Sequence, residues 1–196
     1  AAAAAAAGAA GGAAEGVAEI CLSSVVALAQ FAGCVGGMLL VDNCGRRPLV
    51  LGSLAGVATS LGAMGLAFHP GRLAPDGTPL AAMVAYLVSF GVGMATLPWT
   101  VNSEIYPEGA RAVCVGIATA SNWAANLVVA ATFLDLSKAL STDRACPELH
   151  PDGAFWLYAL VAVLGFVGLS VWMPETKGLS LEEIARLFEG DDAAKT

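Results

Sequence analysis

The sequence predicts an all-α membrane protein with five transmembrane helices, and three observations lead there. Of 196 residues, 57% are hydrophobic and only 13% are charged, with a mean hydropathy of +0.72, whereas soluble domains carry about 25% charged residues. The charges are segregated: apolar stretches run through 17–41, 48–68, 80–101, 112–134 and 154–173, and of 9 basic and 16 acidic residues only Glu19 lies inside one. Each stretch has 20 to 25 residues, enough at ~1.5 Å per residue to cross a hydrocarbon core of about 30 Å as a helix. A soluble helical core would show a polar face at helical period, and these stretches are apolar all round. They are also twice as long as a tilted barrel strand needs, and they do not alternate apolar with polar.

Residues 1–16 open the chain as a low-complexity segment, its first 14 residues all Ala or Gly, without the basic region or cleavage signature of a secretory signal. No function attaches to this run. An odd number of spans and so abrupt a start lead us to expect further chain upstream.

The first span, 17–41, leads into "DNCGRRP", a six-residue turn before the second span, 48–68. Gly45 permits a positive φ there, and Pro48 suits the first turn of the following helix. Two readings stay open for Arg46 and Arg47: simple anchors at the inner surface, or, with Asp42, a latch made to neighbouring helix ends in only one conformation. In the third span, 80–101, Pro98 removes a backbone hydrogen bond and bends or breaks the helix, with Trp99 beside the break. Broken spans are where transporters place substrate sites. Glu104 and Arg111 flank the next inner loop as partner charges for the turn. In the fourth span, 112–134, Asn122 and Asn126 stand four apart on one helix face, and amides in hydrocarbon need partners, either other helices or the hydroxyls of a bound polyol.

The fifth span, 154–173, is followed by a tail over 174–196. There Ser180 and Glu183 make a capping box, and Leu181, Ile184, Leu187 and Phe188 an apolar stripe on a short interfacial helix.

Orientation follows from the basic residues. With the C-terminus inside, Arg46, Arg47, Arg111, Lys177, Arg186 and Lys195 are cytoplasmic and Arg72, Lys138 and Arg144 outside, the bias expected of short inner loops. Glu19 then lies near the outer end of its span, where a solvated or paired edge residue is expected rather than a proton carrier. No basic patch points to nucleic acid. Cys21, Cys34 and Cys114 lie in or against spans, Cys44 in an inner loop and Cys146 alone in the outer loop, which suits neither a disulfide framework nor a zinc site. Without a nucleophile and base, metal cluster or nucleotide loop, the chain reads as no enzyme and calls for no cofactor or metal.

The motifs "DNCGRRPL", "PWTVNSEIYPEGAR", "SNWAAN" and "PETKGLSLEEI" stand in an order and spacing that resembles the second half of the sugar porters of the major facilitator superfamily, over about residues 17 to 190. "GMATLPWTVNSEIYP" followed by "GIATASNWAANLVV" looks like the proton-coupled myo-inositol transporters more than the hexose carriers, many of which have extra prolines where Met94, Ala95 and Thr96 stand here.

The resemblance implies spans eight to twelve of an alternating-access carrier in the lipid bilayer, five helices of a C-terminal six-helix bundle that pairs with an N-terminal half lying outside this sequence. It implies a sugar or polyol substrate, myo-inositol first and a hexose second, moved together with protons, with no residue here assigned to the proton. By motif, Trp99 packs on the ring of the substrate and Asn122 bonds its hydroxyls, with Asn126 a further candidate. Asp42, Arg46, Arg47, Glu104, Arg111 and Glu175 form an inside charge network that holds the halves together when the carrier faces outward. The membrane implied is the plasma membrane, or else a vacuolar-type one. Two other readings remain: a non-transporting sensor, against which the short tail argues, and a truncated product without transport of its own.

Overall fold

The computed structural model describes residues 2–71, 73–75, 77–106, 108–179 and 183, without the side chains of 2–15 and 18. The expected stripe of the tail helix, its capping Ser180, and Arg72, Arg186 and Lys195 therefore lie outside the described residues.

Six helices follow in order: α1 (Ala2–Cys44), α2 (Arg46–Ala67), α3 (Thr78–Val92), α4 (Leu97–Glu104), α5 (Glu108–Ala139) and α6 (Asp152–Trp172). With α3 and α4 taken as one interrupted span, five helical segments are long and apolar enough to cross a membrane: Glu19–Cys44, Arg46–Ala67, Thr78–Glu104, Glu108–Ala139 and Asp152–Trp172. Backbone helix continues through the Ala/Gly run, so α1 has 43 residues, about 64 Å at helical rise and twice what the membrane requires.

α3 lies between α1 and α2, which scarcely touch one another, and α2 is held between α3 and α6. Small residues allow the first of these packings. A Cβ on Gly33 would come within 2.5 Å of the Val88 carbonyl oxygen, and one on Gly37 would collide with Val92. The Gly-xxx-Gly spacing on α1 is thus what brings two backbones together in a medium where close packing, rather than water exclusion, drives helix association. Around α2 the core forms two clusters: Leu49, Val50 and Leu97 with Met94 and Met173 near one end, and Leu54, Val57 and Ala162 with Phe90 and Phe166 further along. α5 is the least embraced helix, its Ile117, Trp123 and Leu127 exposed.

The interruption between α3 and α4 spans Gly93–Thr96, one turn before Pro98. Pro98 has no N–H to give the residue four before it, and the irregularity is taken up upstream. The Ala95 N–H reaches back to Phe90 O (2.9 Å) and the Leu97 N–H to Gly93 O (2.9 Å). Met94 N–H instead donates to Ser53 Oγ (3.0 Å), and that hydroxyl donates to Ser89 O (2.6 Å). Ser53, 3% exposed, therefore repairs two backbone groups that the break frees, which is how a broken helix survives at membrane depth.

Candidate functional site

Two adjoining groups of residues form the candidate site: a charge cluster at the Gly45 end of the bundle and a cavity beside α4. The cluster is built on Glu175, in the extended chain that follows α6. Its Oε1 accepts the Arg46 N–H (3.0 Å) and its Oε2 the Arg47 N–H (3.2 Å), so a carboxylate 128 and 129 residues away caps the N-terminus of α2. Orphan donors and a positive helix end both favour an anion there. Gly45 is required twice over: its φ is 92°, and a Cβ would stand 2.7 Å from Glu175 Oε2. Two residues on, Lys177 Nζ donates to Asn43 O (2.7 Å) at the C-terminal end of α1, a cation placed where the helix dipole is negative.

Arginine side chains extend the cluster. Arg46 Nη2 meets Glu104 Oε1 at 3.2 Å, the two side chains only 22% and 17% exposed, and Arg47 Nη2 donates to Ser170 O at 2.6 Å. The second oxygen of Glu104 accepts the hydroxyl of Thr176 at 3.2 Å. The Nε atoms of both arginines are buried without a hydrogen-bond partner.

Arg46, Arg47, Glu104 and Glu175 are thus brought together. The other two expected members are not. Asp42 is exposed on the last turn of α1, with no ion pair or hydrogen bond among the described residues, and Arg111 donates to the backbone carbonyl of Tyr106 (3.2 Å) instead of to a carboxylate.

The cavity, about 550 Å³, is walled by α4, α5, the end of α6 and the chain beyond it. Trp99 and Asn122 both line it, from helices that sequence spacing alone does not bring together, with Met94, Asn102, Ile105 and Thr176. Trp99 is 42% exposed, leaving its ring open to a ligand. Asn126 does not line the cavity; its Nδ2 donates to Asn122 O at 2.9 Å, so it satisfies itself on its own helix.

Three polar residues here escaped the sequence reading. Ser53 acts on the end of α3 and the break, and Thr176 on α4, each from outside that span, and nothing local in the sequence signals it. Asn102 shares a face with Trp99 three residues before it, and the helical spacing of the two was its signal.

The sugar transporter family, described as "Sugar (and other) transporter", matches residues 12–188. The chain belongs to this family. Its fold is that of the major facilitator superfamily: the chain superposes on the proton:xylose symporter XylE bound to 6-bromo-6-deoxy-D-glucose with a TM-score of 0.76 and 28% identity, over 86% of this chain and 34% of that one. Against the inward-open XylE from E. coli the TM-score is 0.72 at 29% identity, over 87% and 36%. Among relatives, a proton myo-inositol cotransporter of Caenorhabditis elegans is 44% identical over 110 residues, 56% of this chain and 17% of that protein. A facilitated trehalose transporter homolog of Drosophila sechellia is 33% identical over 171 residues, 85% of this chain and 33% of that protein. The chain therefore spans a third or less of the length of these relatives. Family membership makes it an integral, multi-pass membrane protein of a transporter family, not of an enzyme family.

Proposed function

We propose that the five spans act as the C-terminal bundle of a proton-coupled, alternating-access carrier for a sugar or polyol, myo-inositol first, in the plasma membrane. The observation that carries this reading is the convergence of Trp99 and Asn122 on one cavity beside a broken helix. An indole face covers the apolar side of a ring, and an amide supplies both a donor and an acceptor to hydroxyls. The likeness to a proton myo-inositol cotransporter over 110 residues supports that substrate, and the likeness to a trehalose transporter over 171 residues supports a sugar as the second.

The charge cluster is the gate in this reading. An exposed ion pair contributes about 0 to 1 kcal/mol, whereas breaking a largely buried pair by removing one partner costs about 3 to 5 kcal/mol. Arg46 and Glu104 sit near the buried limit, and Glu175 adds two charge-assisted bonds to the end of α2. A few kcal/mol is the scale on which a carrier's two states must differ.

The test is uptake of labelled myo-inositol and glucose by transport-deficient cells expressing the carrier with both of its halves. Trp99→Leu and Asn122→Val are each expected to lower uptake at least about tenfold, the loss of one good contact to the substrate, with surface expression unchanged. Uptake indifferent to both substitutions would sink the site assignment.

A further inference from the structure

The cavity beside α4 is apolar apart from a few groups, and those groups differ in what they are free to do. The hydroxyl of Thr176 is committed to Glu104 (3.2 Å). The side chains of Asn102 and Asn122, both facing the cavity, make no hydrogen bond among the described residues. Asn102 is half-buried, on the face of α4 that presents Trp99. Two unbonded amides from two helices, α4 and α5, thus border one 550 Å³ space together with an open indole.

We propose that Asn102 is a substrate-contacting residue that selects a ring bearing hydroxyls on adjacent carbons, a cyclitol, over an aldose ring. This rests on the cavity being the substrate site, as proposed above. A primary amide has two N–H donors and a carbonyl acceptor; satisfying both ends against one edge of a ring takes two neighbouring hydroxyls, one accepting and one donating. Every ring carbon of an inositol, the cyclitol meant here, carries such a group, so each edge of its ring offers the pair. An aldopyranose has one edge where the ring oxygen accepts but cannot donate and the neighbouring carbon carries a hydroxymethyl arm. Against that edge the Asn102 carbonyl loses its donor, and a desolvated polar group left unpaired is what lets a site reject an analogue. Asn122 borders the same space from α5 and offers the ring a second amide.

The experiment measures kcat/KM for myo-inositol and for glucose in transport-deficient cells expressing the carrier with both of its halves. Asn102→Val is the main variant and Asn102→Ala the second, each judged on the ratio of the two substrates so that only folded protein enters the result. The expected result is a fall of about tenfold in the myo-inositol to glucose ratio, the loss of one directed polar contact. A ratio unchanged by both variants, while Trp99→Leu suppresses uptake of both substrates, overturns the role of Asn102 and leaves the cavity as the site. Uptake indifferent to Trp99→Leu and Asn122→Val overturns the site reading and this inference with it. A wild-type ratio that favours glucose also overturns the selectivity assigned here.

Discussion

The two ends of the bundle are held in different ways. At the Gly45 end, side chains join pieces of chain far apart in sequence: Arg46 to Glu104 across 58 residues, Arg47 to Ser170 across 123, and Lys177 to Asn43 across 134. At the opposite end most bonds stay within the loop between α5 and α6. Thr142 donates its N–H to Asp152 Oδ1 (3.2 Å) and its hydroxyl to Oδ2 (2.6 Å), and Ala145 N–H donates to Asp143 Oδ1 (2.9 Å). One bond there is long-range, from His150 Nδ1 to Phe68 O (2.9 Å), and since a carbonyl only accepts, Nδ1 carries the proton. The first end is a set of charged clasps between separate helices; the second is a loop that mostly ties itself down. Clasps between helices are what a conformational change can open and close, while a self-bonded loop travels as one body with the helices it joins.

The largest effect that would break this contrast belongs to Glu175→Gln. Removing the charge at the start of α2 leaves two cap N–H groups with a neutral, one-oxygen acceptor, and about 1 to 3 kcal/mol of stability is expected to go. Thermal unfolding of the detergent-solubilised protein measures it, and an unchanged Tm would show that the cap is ornamental.

At the opposite end Asp152→Asn is expected to cost about 1 kcal/mol, because one oxygen still accepts from Thr142 while the other becomes an amide nitrogen facing a donor. Asp152 is 1% exposed, so water cannot make good the loss. Uptake is expected to be unaffected beyond that loss of folded protein, and a change of kcat in this variant would erase the distinction between clasp and tied loop.

Smallest of all is Glu148→Gln. The Lys138 ammonium, 2.8 Å away, holds the Glu148 carboxyl below the usual carboxylate range. Any contribution is thus present above that range and lost as pH falls through the lowered value. The side chains are 50% and 74% exposed, and solvent and salt screen such a pair. Tm is expected to be the same for variant and wild type from pH 4 upward.

The membrane spans and the break in the third were legible because hydropathy over 20 residues and a proline within a span are local properties of the chain. Trp99 and Asn122 were legible only through motifs, since neither periodicity nor spacing says that residues on α4 and α5 share a cavity. Asn126 illustrates the limit: its position on the helix matches that of Asn122 one turn earlier, yet its amide turns back to a carbonyl of its own helix. Asp42 and Arg111 carry the right charges, yet Asp42 is exposed on the last turn of α1 and Arg111 bonds the Tyr106 carbonyl instead.

Sequence by itself determined that this protein lives in a bilayer, because a backbone surrounded by hydrocarbon must form helices, and enough apolar residues in a row leave no other solution. It also determined the Gly45 turn, where only glycine accepts the backbone angle. Tertiary structure decided which charges meet, which amides stay free for a ligand, and that a serine on α2 and a glutamate after α6 complete helices to which they do not belong. Those outcomes depend on distances between chain segments from 36 to 129 residues apart, and such distances exist only once the helices have packed.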